Sequence, residues 1–366
     1  MSTFKLADRL EFLYTHPHEE DAVLRRILPD LLALDDESDL NTLYGFAHDV
    51  CLHHMGEGVL LRGIVEFSNH CRNACHYCGL YRDNRQLERY ALTHDEILNS
   101  VQLLYGFQIR TLVLQSGETA AGPVAALEAL IQTIRARYPD LAMTLSVGEK
   151  NRETYRRWKA AGADRYLLKI ETADPDLYAR LHPGMSLQNR IACLETLMEL
   201  GYQTGCGGIV GLPDQTLDTL TTDLLFYRRH QFQMIGISPL IPHPETPLAA
   251  LPVGDLSMTL KMIALTRILV PNAHMPATTA MGSMQGVDNR PLALKSGANV
   301  VMLNFTPAAQ KRHYEIYPGK RCLNESFCAV GCISKMAASV GRSINLSAGH
   351  AVYTPRRQEA KIQEKV

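Results

Sequence analysis

The sequence has no long apolar run, almost no net charge and few cysteines. No stretch of about 18 apolar residues occurs among its 366 positions, so nothing predicts a membrane-spanning helix. A formal net charge of -1 gives no overall attraction for nucleic acid or an anionic membrane. Nine cysteines are too few for a disulfide scaffold in a chain of this length. We therefore expect a globular protein without nucleic-acid or membrane partners. Because the first residues also lack the basic and apolar regions of a signal peptide, we expect it in the cytoplasm.

Three of the nine cysteines stand together in one short segment. The stretch "IVEFSNHCRNACHYCGLYRDN", from Ile64 to Asn84, places Cys71, Cys75 and Cys78 in a C-x3-C-x2-C pattern directly after an apolar run. Clustered cysteines in a protein of a reducing compartment indicate metal ligation rather than disulfides.

Short β-branched or apolar runs alternate with longer helical patterns from residue 64 onward. One helical pattern, "THDEILNSVQLLYGFQ", begins with Thr93 and Glu96 at capping-box spacing. The predicted strands are Ile64–Ser68, Thr111–Gln115, Met143–Val147, Arg165–Ile170, Gln203–Gly207, Met234–Ile241, Met275–Thr278 and Val300–Leu303. Eight strands that alternate with helices over roughly 240 residues predict a complete (β/α)8 barrel of the TIM type, and an open doubly wound sheet is the alternative.

The flanks of this alternating region have a different character. Residues 1–60 are predicted to form a helical extension, residues 61–310 the barrel, and residues 311–366 a C-terminal segment of helix and loop. In a (β/α)8 barrel the reactive groups gather in the loops at the carboxyl ends of the strands. The three cysteines follow the first predicted strand, and we expect them at that end.

Thiolates in this pattern indicate either zinc or an iron–sulfur cluster. A structural zinc site is closed and usually takes four protein ligands, and a fourth ligand is missing near the triplet. A [4Fe–4S] cluster held by three cysteines keeps one iron open for a substrate or cofactor. The triplet therefore favours a catalytic cluster, with structural zinc as the alternative.

The triplet after a first barrel strand resembles the signature of the radical S-adenosylmethionine (SAM) superfamily. The resemblance implies that the open iron chelates the amino and carboxylate groups of SAM. It also implies that one electron from the reduced cluster cleaves SAM to a 5′-deoxyadenosyl radical.

Further blocks narrow the resemblance to the HydE family, the [FeFe]-hydrogenase maturases. They include "TLVLQSGE", "LSVGE", "AGADRYLLKIETADPDLYARLHP", "VGLPDQT", "LTRILVPNAHMPATTAMGS", "SGANVVMLNFTP" and "YPGKRC". This resemblance implies a small organometallic iron substrate, an Fe(CO)2(CN)-cysteine synthon, held in the barrel cavity during assembly of the hydrogenase di-iron centre. It also implies a reductant such as ferredoxin or flavodoxin and other hydrogenase maturation proteins as partners.

The resemblance assigns several residues to SAM. The segment "QSGE" resembles the element that binds the SAM amino group, and its glycine allows close approach of the backbone. Glu171 and Arg190 are implied to hold the SAM polar groups, since an arginine fork suits a carboxylate. Tyr77 is expected either to cover a cofactor ring or to pack in the core. The residues assigned to SAM are Tyr77, Gln115, Ser116, Gly117, Glu118, Glu171 and Arg190.

Other residues are candidates for the substrate cavity. Arg165 and Lys169 lie four apart on a predicted strand and so share a face, and two inward cations indicate an anionic substrate. Thr278 and Thr279 follow the seventh predicted strand, and Tyr314 is a candidate lid or cavity residue. The resembling family usually has Arg-His where this chain has Lys169 and Ile170, so the substrate could differ.

A second cysteine group follows the last predicted strand. Cys322, Cys328 and Cys332 have the spacing C-x5-C-x3-C, which is a candidate motif for an auxiliary iron–sulfur cluster but differs from the pattern expected of the family. Structural packing of these cysteines is the alternative.

Three other functions remain in competition. Biotin synthase places additional cluster ligands within the barrel strands, and only Cys206 fits that arrangement. Methylornithine synthase shares the barrel and needs no second cluster. From a different class, a zinc-stabilised binding module predicts a colourless protein that is indifferent to oxygen and does not bind SAM.

Overall fold

Three helices precede the sheet and pack against its outer layer. The computed structural model describes residues 5–119, 124–319 and 326–351. The helices are α1 (Leu6–Thr15), α2 (Asp21–Leu32) and α3 (Glu37–Met55). Buried leucines of α1 and α2, such as Leu10 and Leu28, belong to the same apolar core as the strands. The predicted N-terminal helical extension is therefore packed on the sheet-bearing region, while the domain boundaries stay a prediction.

The central sheet is parallel throughout. Its strands are β1 (Gly58–Ser68), β2 (Thr111–Ser116), β3 (Ala142–Ser146), β4 (Arg165–Leu167), β5 (Gln203–Val210), β6 (Met234–Pro239), β7 (Val300–Asn304) and β8 (Ser343–Asn345). The strand order is β6-β5-β4-β3-β2-β1-β7, and β8 pairs with the first residues of β1. Because all the strands are parallel, their carboxyl ends meet at one edge of the sheet. The loops that follow them form the site described below.

Helices connect successive strands, as expected for an α/β fold. They are α4 (His94–Gly106), α5 (Val124–Arg137), α6 (Arg152–Ala161), α7 (Pro175–Leu181), α8 (Leu187–Glu199), α9 (Leu217–His230), α10 (Leu256–Leu269), α11 (Arg290–Lys295), α12 (Ala308–Lys311) and α13 (Ser326–Ala338). A short 3-10 turn covers Met284–Gly286. The predicted capping box is confirmed, since the Thr93 hydroxyl accepts from the Glu96 N–H and the Glu96 carboxylate accepts from the Thr93 N–H.

The seventh predicted strand forms only isolated bridges. His274 bridges to Met234 on β6, and Pro276 bridges to Val300 on β7. Pro276 has no N–H to donate, which limits the ladder at this point. Among the described residues, β6 and β7 are the two ends of the strand order. The segment that contains His274 and Pro276 lies between these ends and is joined to them only by the two bridges. The parallel α/β sheet is confirmed, and the complete barrel stays a prediction.

The last described residues cross the amino-terminal end of the sheet. The Arg110 N–H donates to the carbonyl oxygen of Leu346, and the Thr111 hydroxyl donates to that of Ala348. Gly349 packs on Leu60 so closely that a Cβ atom would lie 2.6 Å from its methyl groups. We call residues 346–351 the floor segment.

No helix in the part of the chain that the structure describes is long and apolar enough to cross a membrane. The most extensive apolar packing instead lies between the sheet and the helices around it.

Candidate active site at the carboxyl end of the sheet

The three cysteines lie in the long loop after β1, and buried hydrogen bonds fix that loop. The fully buried Asn69 amide donates to the carbonyl oxygens of Glu88, at 2.8 Å, and His313, at 2.7 Å. Arg89 donates to the carbonyl oxygens of Asn69 and Leu80. The loop is therefore tied down on both sides of the cysteines. Sequence reasoning missed both anchors, because their partners are backbone groups that no side-chain pattern reveals.

Cys71, Cys75 and Cys78 are free and partly exposed. Burial raises the pKa of Cys75 to about 12 and raises the pKa of Cys78 as well, and the neighbouring cysteines add to both shifts. In the described residues, no three metal-ligating side chains are arranged around a single ion. A cluster binds its thiolates at separate corners, whereas one zinc ion draws its ligands to a point.

Gly117, at the end of β2, allows the cysteine loop to lie against the sheet. A Cβ atom there would lie 2.3 Å from the carbonyl oxygen of His70 and 2.8 Å from the Cβ of Cys71. The Gly117 N–H donates to Ser68, and the Arg72 N–H donates to the carbonyl oxygen of Glu118. The close approach at this glycine is to the cysteine loop, and it brings "QSGE" beside the first cysteine, while the contact of this segment with SAM stays a prediction.

The Glu118 carboxylate is buried and surrounded by donors. Arg72 donates to its Oε1 from Nε, at 3.1 Å, and from Nη2, at 2.8 Å, while the Glu149 N–H donates to its Oε2 at 2.9 Å. Burial alone would raise the pKa of Glu118, but Arg190, the Glu149 N–H and Arg72 together lower it. Glu118 is therefore a fixed anion beside the cysteine loop.

Arg190 on α8 joins this group of charges. Its Nε lies 2.9 Å from Glu149 Oε1, and its Nη2 lies 3.8 Å from Glu118 Oε2. Burial would lower the pKa of Arg190, but Tyr178, Glu149 and Glu118 raise it above the ordinary value. The site therefore holds a permanently charged guanidinium. Neither Arg72 nor Glu149 was assigned a role from the sequence, although Arg72 lies within the cysteine motif itself.

Glu171 follows β4 with a strained backbone. Its φ of 64° lies in the left-handed region, which non-glycine residues seldom adopt. The Glu171 N–H donates to Gly207, and its carbonyl oxygen accepts from Ile209. Its Oε2 lies 3.1 Å from Lys169 Nζ, and both side chains are largely buried. Glu171 contributes to the raised pKa values of Cys75 and Cys78, so it faces the cysteines.

Asp223 on α9 supports the strained turn from behind. The Thr172 hydroxyl and the Ala173 N–H both donate to its Oδ1. Burial raises the pKa of Asp223 to about 7, although these two hydrogen bonds act in the opposite direction. No sequence motif marked this residue, since it reaches the turn from a helix 50 residues further along the chain.

Tyr77 lies against the loop between α7 and α8. Its hydroxyl is 2.9 Å from His182 Nε2, and the two rings meet edge to face at 5.4 Å. Burial lowers the pKa of His182 to about 4, so the imidazole is neutral at pH 7. Tyr77 also packs on a small apolar cluster that includes Leu177 and Leu212. A packing role for Tyr77 is therefore present, and a role over a cofactor ring stays a prediction.

The other residues assigned from "QSGE" make local contacts. Gln115 Nε2 donates to the hydroxyl of Tyr314 at 3.1 Å, which joins the end of β2 to the segment after β7. Tyr314 is almost completely buried. The Ser116 hydroxyl donates to the carbonyl oxygen of Gly117. The structure thus brings Gln115 and Tyr314 together, which the sequence did not predict.

Thr278 and Thr279 follow the bridging segment between β6 and β7. Thr278 Oγ1 is buried and has no hydrogen-bond partner among the described residues. The carbonyl oxygen of Thr279 accepts from the Ser283 hydroxyl. A hydroxyl that is buried without a partner is costly unless something binds to it, which suits a substrate contact at Thr278.

The structure separates Arg165 from Lys169. Arg165 begins β4, and its Nη2 donates to the carbonyl oxygens of Ala348, at 2.6 Å, and Gly349, at 2.9 Å, in the floor segment. Four residues of strand place its Cα about 13 Å from that of Lys169. The two cations therefore lie at different levels of the sheet, and their role toward an anionic substrate stays a prediction. Arg165 lies at the floor and Lys169 at the cysteine-bearing edge.

Two further buried basic groups lie within the sheet. Arg62 on β1 is fully buried in the sheet interior, and its Nε and Nη2 have no hydrogen-bond partner among the described residues. Burial and then Arg165 lower the pKa of Arg62 well below its ordinary value. Burial lowers the pKa of His274 to about 2, and its Nε2 also lacks a partner in the described part of the chain. Sequence reasoning missed both groups.

The C-terminal cysteine group is only partly described. Cys322 and the side chain of Cys328 lie outside the described residues, and Cys332 is exposed on α13. An auxiliary cluster at these three positions therefore stays a prediction.

Comparison with known proteins identifies the family. The model of the "Radical SAM superfamily" matches residues 65–226. The "[FeFe] hydrogenase maturase subunit HydE" of Thermotoga maritima is 47% identical over 319 residues, which cover 87% of this chain and 91% of that protein. The "3-methylornithine synthase" of Methanosarcina acetivorans is 28% identical over 274 residues, 74% of this chain and 76% of that one.

The solved structures agree on the fold. The crystal structure of methylornithine synthase (PylB) is similar with a TM-score of 0.76 and 23% identity, over 92% of this chain and 97% of that chain. At this identity the likeness concerns the fold alone. The 47% identity to a maturase over most of both chains is more specific, and it agrees with the cysteine loop and the charges around it. The chain belongs to the HydE family of radical SAM enzymes.

Proposed function

We propose that this protein cleaves SAM at a [4Fe–4S] cluster and acts on a small substrate during maturation of the di-iron site of [FeFe] hydrogenases. One observation carries the proposal. Three free cysteines lie beside a buried carboxylate and a buried guanidinium at the carboxyl edge of a parallel sheet, in a chain 47% identical to a maturase.

Cys71, Cys75 and Cys78 would hold the cluster. The close approach of Gly117 to Cys71 supports this, since it leaves the loop's cysteines facing the groups at the sheet edge. When bound, the cluster supplies the electron that splits SAM into methionine and a 5′-deoxyadenosyl radical. Two of the thiols are protonated at neutral pH in the metal-free protein, so cluster binding should release protons.

The polar groups of SAM would meet the charges beside the cysteines. The Nε of Arg190 lies 2.9 Å from Glu149 and its Nη2 lies 3.8 Å from Glu118, and the planar guanidinium with its five N–H donors suits the SAM carboxylate as a further partner. Glu171 and the "QSGE" segment, Gln115 to Glu118, suit the ammonium group. The hydrogen bond that Tyr77 makes with His182 holds its ring beside the loop.

The substrate would lie inside the sheet, which we propose to be a complete barrel. The bridges of His274 and Pro276 to the neighbouring strands support closure at that point. Basic groups at both ends of the interior favour an anionic substrate. The candidates that would line this space are Lys169, Thr278, Thr279 and Tyr314, with Arg165 at the floor. An Fe(CO)2(CN)-cysteine species, a reductant, other maturation proteins and a cytoplasmic location belong to the same proposal.

A methylornithine-forming mutase is the second candidate. Two observations favour this second candidate. Position 169 is a lysine where the resembling family usually has arginine, and the chain is 28% identical to 3-methylornithine synthase. Mass spectrometry for 3-methylornithine in reactions with SAM and amino acids would decide between the two.

Anaerobic reconstitution tests the proposal directly. The purified protein should bind about four irons and four sulfides at the triplet. With dithionite it should convert SAM to 5′-deoxyadenosine. It should also restore hydrogenase activity in cells that express the hydrogenase and its other maturases.

A variant with Cys78→Ala should lose the brown colour and SAM cleavage. Cys193→Ala is the matched control, because that cysteine lies outside the loop. Stoichiometric zinc without iron and without SAM cleavage would instead establish the zinc-stabilised module.

A further inference from the structure

A surface depression of about 300 Å³ opens directly onto the cysteine loop. Its lining residues are His70, Cys71, Arg72, Arg82, Arg89 and Thr119. Cys71 is the member of the triplet that lies in this lining. A group bound to the three sulfurs would therefore come closest to this solvent-filled depression at its Cys71 corner.

The depression is basic. Its lining contains three arginines and a histidine but no carboxylate. Among the described residues, Arg89 donates to backbone carbonyl oxygens alone, including those of Tyr81 and Asn84, and forms no ion pair with an acid. Arg82 pairs with Asp83, but both side chains are more than half exposed and the pair is weak.

The surrounding loop adds to this charge. Arg85 is exposed three residues beyond Arg82 on the same loop. Arg72 also lies in the lining, but Glu118 cancels its charge. Since the whole chain carries a formal charge of only -1, this concentration of arginines is a local feature rather than a general one. We call the depression and Arg85 the Cys71 face.

We infer that the Cys71 face docks an acidic ferredoxin, which delivers electrons through the Cys71 corner. The inference rests on the proposed function, since it supplies the electron that SAM cleavage requires. One electron leaves the reduced ferredoxin and one enters the cluster, with no proton or group transferred. Electron transfer slows steeply with distance, so the donor must approach where the acceptor lies nearest the surface.

The chemistry of the face fits such a partner. Ferredoxins carry single electrons at low potential in thiolate-bound iron–sulfur clusters. Electron-transfer complexes are small and transient, and complementary charge sets their association rate. A basic depression with a cysteine in its wall is suited to an acidic carrier.

Charge reversal on the face tests the inference. Arg82→Glu with Arg85→Glu should slow cluster reduction by a plant-type [2Fe–2S] ferredoxin by about tenfold or more at low salt. The rate is read in a stopped-flow instrument, and calorimetry with the same ferredoxin should show weaker binding. Dithionite-driven SAM cleavage should stay within about twofold of wild type, since a small reductant needs no docking.

The matched control reverses two exposed arginines elsewhere. Arg25→Glu with Arg26→Glu makes the same change of charge at two exposed positions of α2, which packs against α9 and α10. Its ferredoxin rate should equal that of wild type. An equal loss in both double variants, or no loss in the first, would overturn the inference.

Two further results separate this inference from the proposed function. The wild-type ferredoxin rate should fall with ionic strength, and a rate independent of salt would overturn the docking site without any variant. Failure of the wild type to cleave SAM with dithionite would overturn the proposed function instead, while ferredoxin oxidation would still report on docking.

Discussion

Gly117 makes the closest backbone contact with the cysteine loop. A methyl group there would lie within 3 Å of both His70 and Cys71. We predict that Gly117→Ala pushes the loop away and lowers the iron bound after reconstitution by at least about half. Iron and sulfide analysis measures this. Gly45→Ala is the control, because no atom lies within 4 Å of a Cβ there and alanine favours its helix.

Arg190 differs from most arginines of the chain in being buried between two carboxylates. Arg190→Lys keeps the positive charge but removes the planar set of N–H donors of the guanidinium. We predict an increase of about tenfold in the dissociation constant for SAM, or about 1.4 kcal/mol, with unchanged iron content. Calorimetry on reconstituted protein gives the constant. The control is Arg152→Lys, at an exposed ion pair with Glu199, which should leave the dissociation constant for SAM unaltered. Equal SAM affinities for wild type, Arg190→Lys and Arg152→Lys would contradict the assignment of Arg190 to the SAM carboxylate.

Individual residues were predictable where the chain places them in a local pattern. Cys71, Cys75, Cys78 and Gly117 could be assigned because their neighbours along the chain give the context. The partner of Arg72 could not be found in the same way, since Glu118 is 46 residues away and only the strand pairing brings the two together. The partner of Arg165 was hidden for a related reason, because it belongs to a segment 183 residues later.

At the scale of elements, helix α9 supports the turn that carries Glu171. It does so through the buried Asp223, whose pKa rises from 3.8 to about 7. The folded protein thus holds a proton there that the unfolded chain loses, and this contribution to stability falls as pH rises from about 4 to 7. We predict that Asp223→Asn becomes more stable relative to wild type over that range.

Thermal unfolding of both proteins at several pH values measures the effect. Asp218→Asn, at an exposed position of the same helix, should run parallel to wild type. A difference between Asp223→Asn and wild type that does not vary with pH would contradict the assignment. The SAM affinity of Asp223→Asn should stay close to that of wild type, because asparagine keeps an Oδ1 that accepts from Thr172 and Ala173.

The floor segment is the second element with a measurable role. Its carbonyl oxygens are the main partners of the buried Arg165 guanidinium. We predict that a chain ending at Asn345 is less stable than one ending at Ala351 by about 3 kcal/mol, because a buried cation loses its acceptors. Denaturant unfolding of the two chains gives the difference. Introducing Arg165→Met into both chains should remove most of this difference in the free energy of unfolding. An undiminished difference would show that Arg165 is not responsible.

The helices and strands could be predicted where the hydrophobic periodicity of the sequence was strong. Six predicted strands are present within three residues of their expected bounds, β1 begins six residues before its expected start, and the capping box at Thr93 begins α4 as predicted. The predicted strand at residues 275–278 forms only bridges, since proline interrupts its donors. Strand β8 has three residues, too few for a period to appear in the sequence, and its pairing with Gly58–Leu60 depends on the assembled sheet.

For the molecule as a whole, the sequence predicted the α/β class and the edge at which the site lies. Parallel strands joined by helices place every following loop at the same edge, and the cysteines were expected there for that reason. The sequence could not predict which side chains lie inside the sheet-bearing region. Arg62, His274 and Arg165 come from three separate segments, and only the assembled structure shows that these basic groups lie close enough to influence one another.

The pairing of β8 with β1 also has a consequence for the order in which the chain folds during synthesis. Arg342, beside β8, donates to the carbonyl oxygen of Glu57, 285 residues earlier. During translation the first strand emerges from the ribosome long before its partner exists, and contacts of such separation form late. The pair between β1 and β8 therefore forms only after residues 343–345 have left the ribosome.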